Sequence, residues 1–458
     1  MATKQINGHA VVIGGSIAGL LTARKLHDHF ERVTVIERDA LPQGAENRKG
    51  VPQGRQPHVL LQRGLLIMDQ MFPGFSAELS LAGGVPLNMG SDVRWHSLGN
   101  WRPRYQSSID TIAASRPLIE ATLRRRLSHF EHIRFVTEAE AIGLITNEAG
   151  THVAGVRIRR RDRSQSEETI QADFVVDASG RDSHASEWLA ELNFPAPEVT
   201  TINAFAGYAT RVFRRLHDVD WKMMYVQPAA PDQSRGAIII PMEGDRWHVT
   251  MIGMNADYPP TDEEGFIEFA RSLPVPEIYE TLSRAEALTP IIGYRRVENR
   301  LYSYDQLPRY LENFALLGDA VYALNPVYGQ GMSVASMSVE ELDRTLSEHR
   351  QNNGDDLTGF VSVFQKRLGA LLAGPWQVAT GEDFRWSKVE GVKPNPDPAA
   401  LLMQNYIGTV MLAANHNPVI LDAVYQVLNM MSSPEIFFRP DVVLHVMAAV
   451  NPVSLPQA

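Results

Sequence analysis

A glycine-rich turn near the start of the chain constrains it most: His9-Ala10-Val11-Val12-Ile13-Gly14-Gly15-Ser16-Ile17-Ala18-Gly19. An apolar run leads into it and a helix-like stretch from Leu20 to Phe30 follows. A second apolar run, Val33-Thr34-Val35-Ile36, ends on Glu37. Strand, tight turn, helix, strand and acidic tip is the order of a dinucleotide-binding βαβ unit. Backbone without side chains can approach a pyrophosphate, helix N–H groups and dipole favour its charge, and the acid accepts from a ribose. The distance from Gly14 to Glu37 is close to the ~20 residues such units use. Ser16 is the irregularity, standing where the third position is ordinarily glycine. The turn by itself also fits a plain βαβ connection without a ligand, so the rest of the chain has to decide.

The chain's 458 residues allow two or three domains. Alternating strand-like and helix-like stretches point to an α/β architecture. With 43 basic against 53 acidic residues the chain is net negative, which argues against nucleic acid as a partner. Arg124-Arg125-Arg126 and the run from Arg157 to Arg163 read as solvated faces of a helix and a hairpin. No cysteine is present, which excludes thiolate catalysis, disulfides and Cys-ligated metals. The 14 histidines form no His-Glu-x-x-His pattern, so no metal site is expected. A core strand begins too early for a signal peptide, and no apolar run approaches ~20 residues. The expectation is a soluble, cytoplasmic protein without a transmembrane segment, a monomer or homodimer.

Beyond Glu37, the polar segment from Arg38 to Pro57 reads as a long loop of the kind that often carries function. His58 to Met71 reads as a helix. Ser115-Arg116-Pro117 starts another, with Ser115 as its N-cap. Phe135 to Arg161 reads as a small meander, followed by the apolar strand and polar turn Ala172-Asp173-Phe174-Val175-Val176-Asp177-Ala178-Ser179-Gly180. Strands at Phe205–Phe213, Gly236–Pro241, Trp247–Gly253 and Ile291–Asn299 imply an antiparallel sheet. Dinucleotide-fold character returns at Phe314-Ala315-Leu316-Leu317-Gly318-Asp319-Ala320. The expected organisation is a Rossmann-like dinucleotide-binding domain (residues 1–185, returning at 301–350). An inserted antiparallel-sheet substrate domain occupies 186–300, and a C-terminal helical region 351–458, with an unstructured tail from Asn451.

Three elements then stand in order: the Gly14–Gly19 turn, Asp177-Ala178-Ser179-Gly180, and Gly318-Asp319 with Asn325-Pro326-Val327-Tyr328-Gly329-Gln330-Gly331-Met332. Together they resemble the single-component FAD-dependent monooxygenases of the p-hydroxybenzoate hydroxylase fold over nearly the full length. Arg48-Lys49-Gly50-Val51-Pro52-Gln53, Tyr208-Ala209-Thr210-Arg211-Val212-Phe213 and Asn325 to Met332 look closest to epoxidases of polyether polyketide biosynthesis.

The resemblance implies FAD as cofactor. Gly14, Gly15, Ser16 and Gly19 would then hold its pyrophosphate and Glu37 its adenosine ribose, with Arg38, Arg48 and His58 on the cofactor side. Arg116 would lie near the pyrophosphate and ribityl chain, Asp177 close to the FAD, and Asp319 would accept from a ribityl hydroxyl. Gly329, Gly331, Met332 and Ser333 would offer backbone N–H groups to the pyrimidine edge of the flavin, where negative charge develops on reduction. The strict family turn has Asp-Gly where this chain has Asp177-Ala178-Ser179-Gly180.

By the same resemblance NAD(P)H is a transient electron donor, since no second nucleotide fingerprint appears. One oxygen atom of O2 would pass through a flavin C4a-hydroperoxide into an apolar small molecule by epoxidation or hydroxylation in secondary metabolism. No catalytic side chain is identified, because no His/Tyr/Asp constellation reads as a base. Plainer roles stay open: Asp319 as a helix cap, Asp177 as a turn cap, His58 and Arg211 as structural residues. A reductase or halogenase on the same fold and a GDI-like lipid-binding protein are the alternatives. The Trp-x-Trp-x-Ile-Pro signature of halogenases is absent.

Overall fold

Five parallel strands form the first layer, and their order reverses at the first strand of the chain. The computed structural model describes residues 5–393, 395 and 398–450. The sheet order is Phe314–Leu316, Phe174–Asp177, Ile6–Ile13, Phe30–Ile36 and Ile133–Val136, all pairs parallel. Ala10, Val11 and Val12 are fully buried, as expected of a strand covered on both faces. The helix Ile17–His29 covers one face with Ile17, Leu20, Leu21 and Leu26. Each such side chain contributes about 1.5–3 kcal/mol by leaving water. In register, Ile36, Ile13, Asp177 and Leu316 lie side by side at the carboxyl ends of their strands. That edge, at the point of reversal, is where open α/β sheets bind ligands.

The expected meander exists as the three-stranded sheet Ala139–Thr146, Val153–Arg160 and Glu167–Gln171. The second large element is a seven-stranded sheet. It contains the expected strands at Gly207–Arg214, Arg235–Met242, Arg246–Gly253 and Ile292–Tyr294, plus Met223–Val226. Two differences from the sequence reading emerge. Val93–Ser97 and Asn100–Trp101, well outside 186–300, complete this sheet at one edge, and Val93–Ser97 pairs parallel with Met223–Val226. Those strands are short and follow polar turns, so their partner could not be read locally. Ile291–Asn299 also divides: only Ile292–Tyr294 joins this sheet, and Asn299–Tyr302 pairs elsewhere.

One face of the seven-stranded sheet carries Phe213, Trp247, Val249 and Met251 under the helices Glu263–Arg271 and Glu277–Arg284. The other packs on the C-terminal helices Pro398–Ala413, Pro418–Leu428 and Pro440–Val450, and on Trp386 and the Val327 loop. The tail from Asn451 lies outside the described residues. Among those described, no helix is long and apolar enough to cross a membrane, and no cluster of metal-ligating side chains occurs.

Candidate cofactor site

The glycines of the first turn are required by contact as well as conformation. Gly14 has φ +105°, and a Cβ there would stand 2.5 Å from the Ala178 carbonyl oxygen. At Gly19 a Cβ would lie 1.8 Å from the Gly14 carbonyl oxygen. Backbone bonds lock the turn in place: Gly14 N donates to Ile36 O at 2.8 Å, and Ala178 N to Ile13 O at 2.9 Å. Gly318, at φ +64°, would set a Cβ 3.0 Å from that of Ala18, and one at Gly180 would lie 4.0 Å from the Asp319 Cβ. Three segments separated by over a hundred residues therefore meet at one edge.

Ser16 occupies the N-cap position of the first helix but makes no capping bond. Its hydroxyl donates to Glu120 Oε1 at 2.5 Å and accepts from Arg116 Nη2 at 2.8 Å. The irregular residue is thus drawn sideways into an ionic network and leaves the first-turn N–H groups without a side-chain cap. Ser115 caps the helix Arg116–Leu127, accepting from Leu118 N at 3.2 Å, as the sequence suggests. That helix delivers Glu120, which is 3 % exposed and bonded to Ser16, Arg116 and Arg48. Burial opposes its charge, but Arg116 and Arg48 outweigh it and hold the carboxyl below its usual range. Sequence reading missed Glu120, because its spacing from Arg116 and Arg124 looks like surface pairing along a helix. Its only warning was a lone acid among arginines beside two buried leucines.

Several expected contacts take a different form. Glu37 is 4 % exposed and already engaged: Oε2 accepts from Gly15 N at 2.8 Å, Oε1 from Asp39 N at 2.9 Å, and Arg48 lies 2.9 Å away. The acid therefore braces the glycine turn rather than presenting an open carboxylate to a ribose. Arg48 is buried as well, bridging Glu37, Asp39 and Glu120 and donating to the Gly15 carbonyl at 3.1 Å. Asp177 is fully buried, accepting from Ser179 N and the Ser183 hydroxyl, and burial pushes its carboxyl pKa up. It caps its turn and does not face the edge. Arg38 reaches Asp182 at 3.1 Å and, with Lys49 and Arg161, rims a cleft of about 480 Å³ at the tip of Phe30–Ile36.

Asp319 is more open than these acids. It is half-buried, and its nearest cation, Arg181 Nε, is 3.9 Å away. Gly329 and Gly331 have open space where a Cβ would stand. Met332 and Ser333 bury their side chains, so only their backbone can serve at the start of the helix Gly331–Asn353. Among the described residues, the buried Gln330 Oε1 and Ser333 Oγ find no partner.

His58 precedes its helix instead of starting it, since the helix begins at Gln62 after the short strand Val59–Leu60. Its Nδ1 bonds the Gln56 carbonyl at 2.8 Å, which makes Nδ1 the donor and leaves Nε2 as an acceptor. Burial and then Arg116 depress its pKa to about 3, so it is neutral at physiological pH. Two bonds tie this region to the second sheet: Thr210 to Gln56 Oε1 at 2.5 Å, and Tyr208 to Asn325 Oδ1 at 3.1 Å. Arg211, the next residue after Thr210, points to the other face and bonds Thr289 O and Glu263.

The structure also assembles what no sequence pattern indicated. Asp383, the buried last residue of the helix Phe360–Asp383, accepts from Tyr328 OH at 2.6 Å and Asn299 Nδ2 at 2.5 Å. Asn325 Nδ2 lies 3.4 Å from it. Burial raises its pKa to about 6. A proton held more tightly in the folded state contributes stability that is lost as pH rises from the unfolded value of 3.8 to about 6. Two pH units correspond to about 3 kcal/mol. Asp383→Asn should remove this slope, so a melting-temperature profile across that window should be flatter in the variant. An unchanged slope would mean that Asp383 is ionised throughout.

Comparison with known proteins completes the site. A family model described as FAD binding domain matches residues 8–358, which contain all three turns. The chain belongs to the FAD binding domain family. Protein Rv3254 of Mycobacterium tuberculosis is 31% identical over 90% of this chain and 88% of its own length. A 3-(3-hydroxy-phenyl)propionate/3-hydroxycinnamic acid hydroxylase of Burkholderia cenocepacia is 26% identical, over 49% of this chain and 37% of that protein. Among solved structures, the flavin-dependent brominase Bmp2 superposes with TM-score 0.66 at 16% identity, covering 96% of this chain and 98% of that one. PqsL of Pseudomonas aeruginosa, a probable FAD-dependent monooxygenase by its description, gives TM-score 0.59 at 16% identity over 83% and 98%. These likenesses establish the fold shared with p-hydroxybenzoate hydroxylase-type flavoproteins.

Proposed function

We propose that this chain is an FAD-dependent monooxygenase that takes electrons from NAD(P)H and places one oxygen atom of O2 into a largely apolar substrate by hydroxylation or epoxidation. The meeting of three turns at the carboxyl edge of the parallel sheet carries this reading. The residues fit the cofactor: a cradle that any Cβ at Gly14 or Gly19 would fill, and an uncapped helix start behind Ser16. Bound FAD would supply the electron transfer and oxygen activation.

The first-turn N–H groups and Arg116 would hold the pyrophosphate, with Arg38 and the Lys49 cleft toward the adenosine end. Glu37, Arg48 and Glu120 set the shape of that cradle from behind. Asp319 would accept from the ribityl chain. Gly329 and Gly331, with the N–H groups of Met332 and Ser333, would meet the ring's pyrimidine edge, where the helix dipole of Gly331–Asn353 favours negative charge. Opposite this loop, Tyr208, Tyr225 and Ile238 pack with the loop's own Val327 and offer an aromatic and apolar surface that keeps water from the reacting atoms. The substrate lies on that sheet face, and Asp383 keeps the loop at a fixed distance from it through Tyr328 and Asn325.

Purified protein should be yellow, should oxidise NADH or NADPH with consumption of O2, and should yield products one oxygen heavier than substrate by mass spectrometry. A colourless protein that takes up no added FAD refutes the flavin reading. Nicotinamide-dependent alkene saturation without oxygen uptake moves the assignment to a reductase. The fold likeness to Bmp2 supports the architecture alone, and bromide or chloride in the same assay tests halogenation.

A further inference from the structure

Among the described residues, Arg102 is a buried cation with no anion in ion-pair distance. It follows the edge strand Asn100–Trp101 and is 4 % exposed. Its guanidinium lies over the Trp95 ring, 3.9 Å from the centroid. Its one side-chain hydrogen bond runs from Nη2 to Ser97 Oγ at a long 3.4 Å, while Nε and Nη1 are buried without partners. Burial lowers its pKa to about 10, partly restored by Tyr425, Tyr105 and Tyr225, so it is charged at neutral pH. The nearby acid, Asp422, is spoken for by Tyr105 OH at 3.4 Å and by Ser108 at 2.9 Å. A desolvated guanidinium without a counter-ion is unfavourable, and five N–H donors with one weak bond call for an acceptor.

Its location says which acceptor. Trp95 stands in register with Tyr225, Tyr225 with Ile238, Ile238 with Thr250, and Thr250 with Thr210. That row crosses the sheet face on which Tyr208 and Val327 also pack. Arg102 is at its outer end, roofed by Tyr425 of the helix Pro418–Leu428, whose ring stacks on Trp95 with centroids 5.7 Å apart. The loop from Asn325 to Gly331 is at its inner end.

We propose that Arg102 receives the carboxylate of the substrate, whose aromatic or apolar body lies along Trp95, Tyr225 and Ile238 with its reacting carbon toward the Val327 loop. The inference rests on the monooxygenase reading and narrows its substrate class from apolar molecules to apolar molecules with one acidic end. A guanidinium edge matches a carboxylate in shape and charge, and the aromatic flanks suit a flat body.

The test uses the full chain loaded with FAD, titrated calorimetrically with benzoate, 3-phenylpropionate and the methyl ester of the latter. At least one acid should bind, 3-phenylpropionate about tenfold or more tighter than its ester. Arg102→Met should lose that preference while binding the ester no worse, and Arg102→Lys should keep part of it. Melting temperature of ligand-free Arg102→Met should hold or rise, because an uncompensated buried charge is removed. Equal binding of acid and ester, a preference surviving in Arg102→Met, or no binding of either acid up to its solubility overturns the proposal. If Arg102→Met does not fold, the Arg102→Lys titration decides by the same acid-to-ester ratio. Flavin content and oxygen uptake are measured separately. A yellow, oxygen-consuming protein that ignores carboxylates refutes the Arg102 site alone, and an acid-binding protein without flavin refutes the monooxygenase reading.

Discussion

Gly19→Ala should yield a protein that retains no flavin. The added Cβ would sit 1.8 Å from the Gly14 carbonyl oxygen, and that partner is backbone at the end of a fully paired strand. Neither side can yield cheaply, so the first helical turn must move away from the glycine turn. Overpacking of this kind costs about 1–3 kcal/mol or more. The N–H groups that would face the pyrophosphate move with it, and positional errors of this size weaken several charge-assisted bonds at once. We expect FAD affinity to fall at least about a hundredfold, with a melting temperature several degrees lower. Gly44→Ala is the control, since its Cβ would meet nothing nearer than 3.6 Å. Equilibrium dialysis against FAD and the visible spectrum report the result. Normal flavin retention in Gly19→Ala would show that the turn does not clamp a cofactor.

Arg48→Met should be the most destabilising of the side-chain changes. Arg48 is the cation shared by Glu37 at 2.9 Å, Glu120 at 3.1 Å and Asp39 at 3.3 Å, and both glutamates are nearly fully buried. Methionine fills a similar volume but leaves these carboxylates facing one another, with Arg116 and, 3.8 Å from Glu120, Arg124 as the remaining close cations. Breaking a buried pair from one side costs about 3–5 kcal/mol. The sign of the pH dependence follows. In the wild type Arg116 and Arg48 hold Glu120 low despite its burial. Without Arg48 the folded-state pKa of Glu120 rises, so the deficit grows as pH climbs through the carboxylate range and shrinks on acidification. Denaturation midpoints at acidic and at neutral pH should show a smaller gap between variant and wild type in acid. A uniform gap would mean that Arg48 does not hold Glu120 in its charged form.

Local features of the sequence proved sufficient wherever the physics was local. The first strand, the glycine turn, the Ser115 cap and the Gly318-Asp319 turn depend on neighbours within a few residues, and each stands where the pattern places it. His58 is outside its helix because the next two residues, Val59 and Leu60, pair instead with Ala113 and Ile112, a partner no local pattern names. Glu37 and Asp177 illustrate a second kind of limit. Their position at strand tips is plain in the sequence, but whether an acid faces a ligand or its own backbone depends on which N–H groups the fold brings to it. Here Gly15, Asp39 and Ser179 claim those oxygens first.

The sequence by itself determined the nucleotide-binding half: a backbone that must lack side chains at Gly14 and Gly19 has few other uses than close approach to a phosphate. Only the tertiary structure decided what surrounds it. Glu120 becomes the anchor for Ser16, Asp383 the fixed point of the Asn325–Gly331 loop, and Arg102 a charge without a partner, because each is defined by contacts across long stretches of chain. Side-chain identity is written in the sequence, whereas desolvation is not. The free energy of a charge depends on how much water and how many opposite charges the fold leaves beside it.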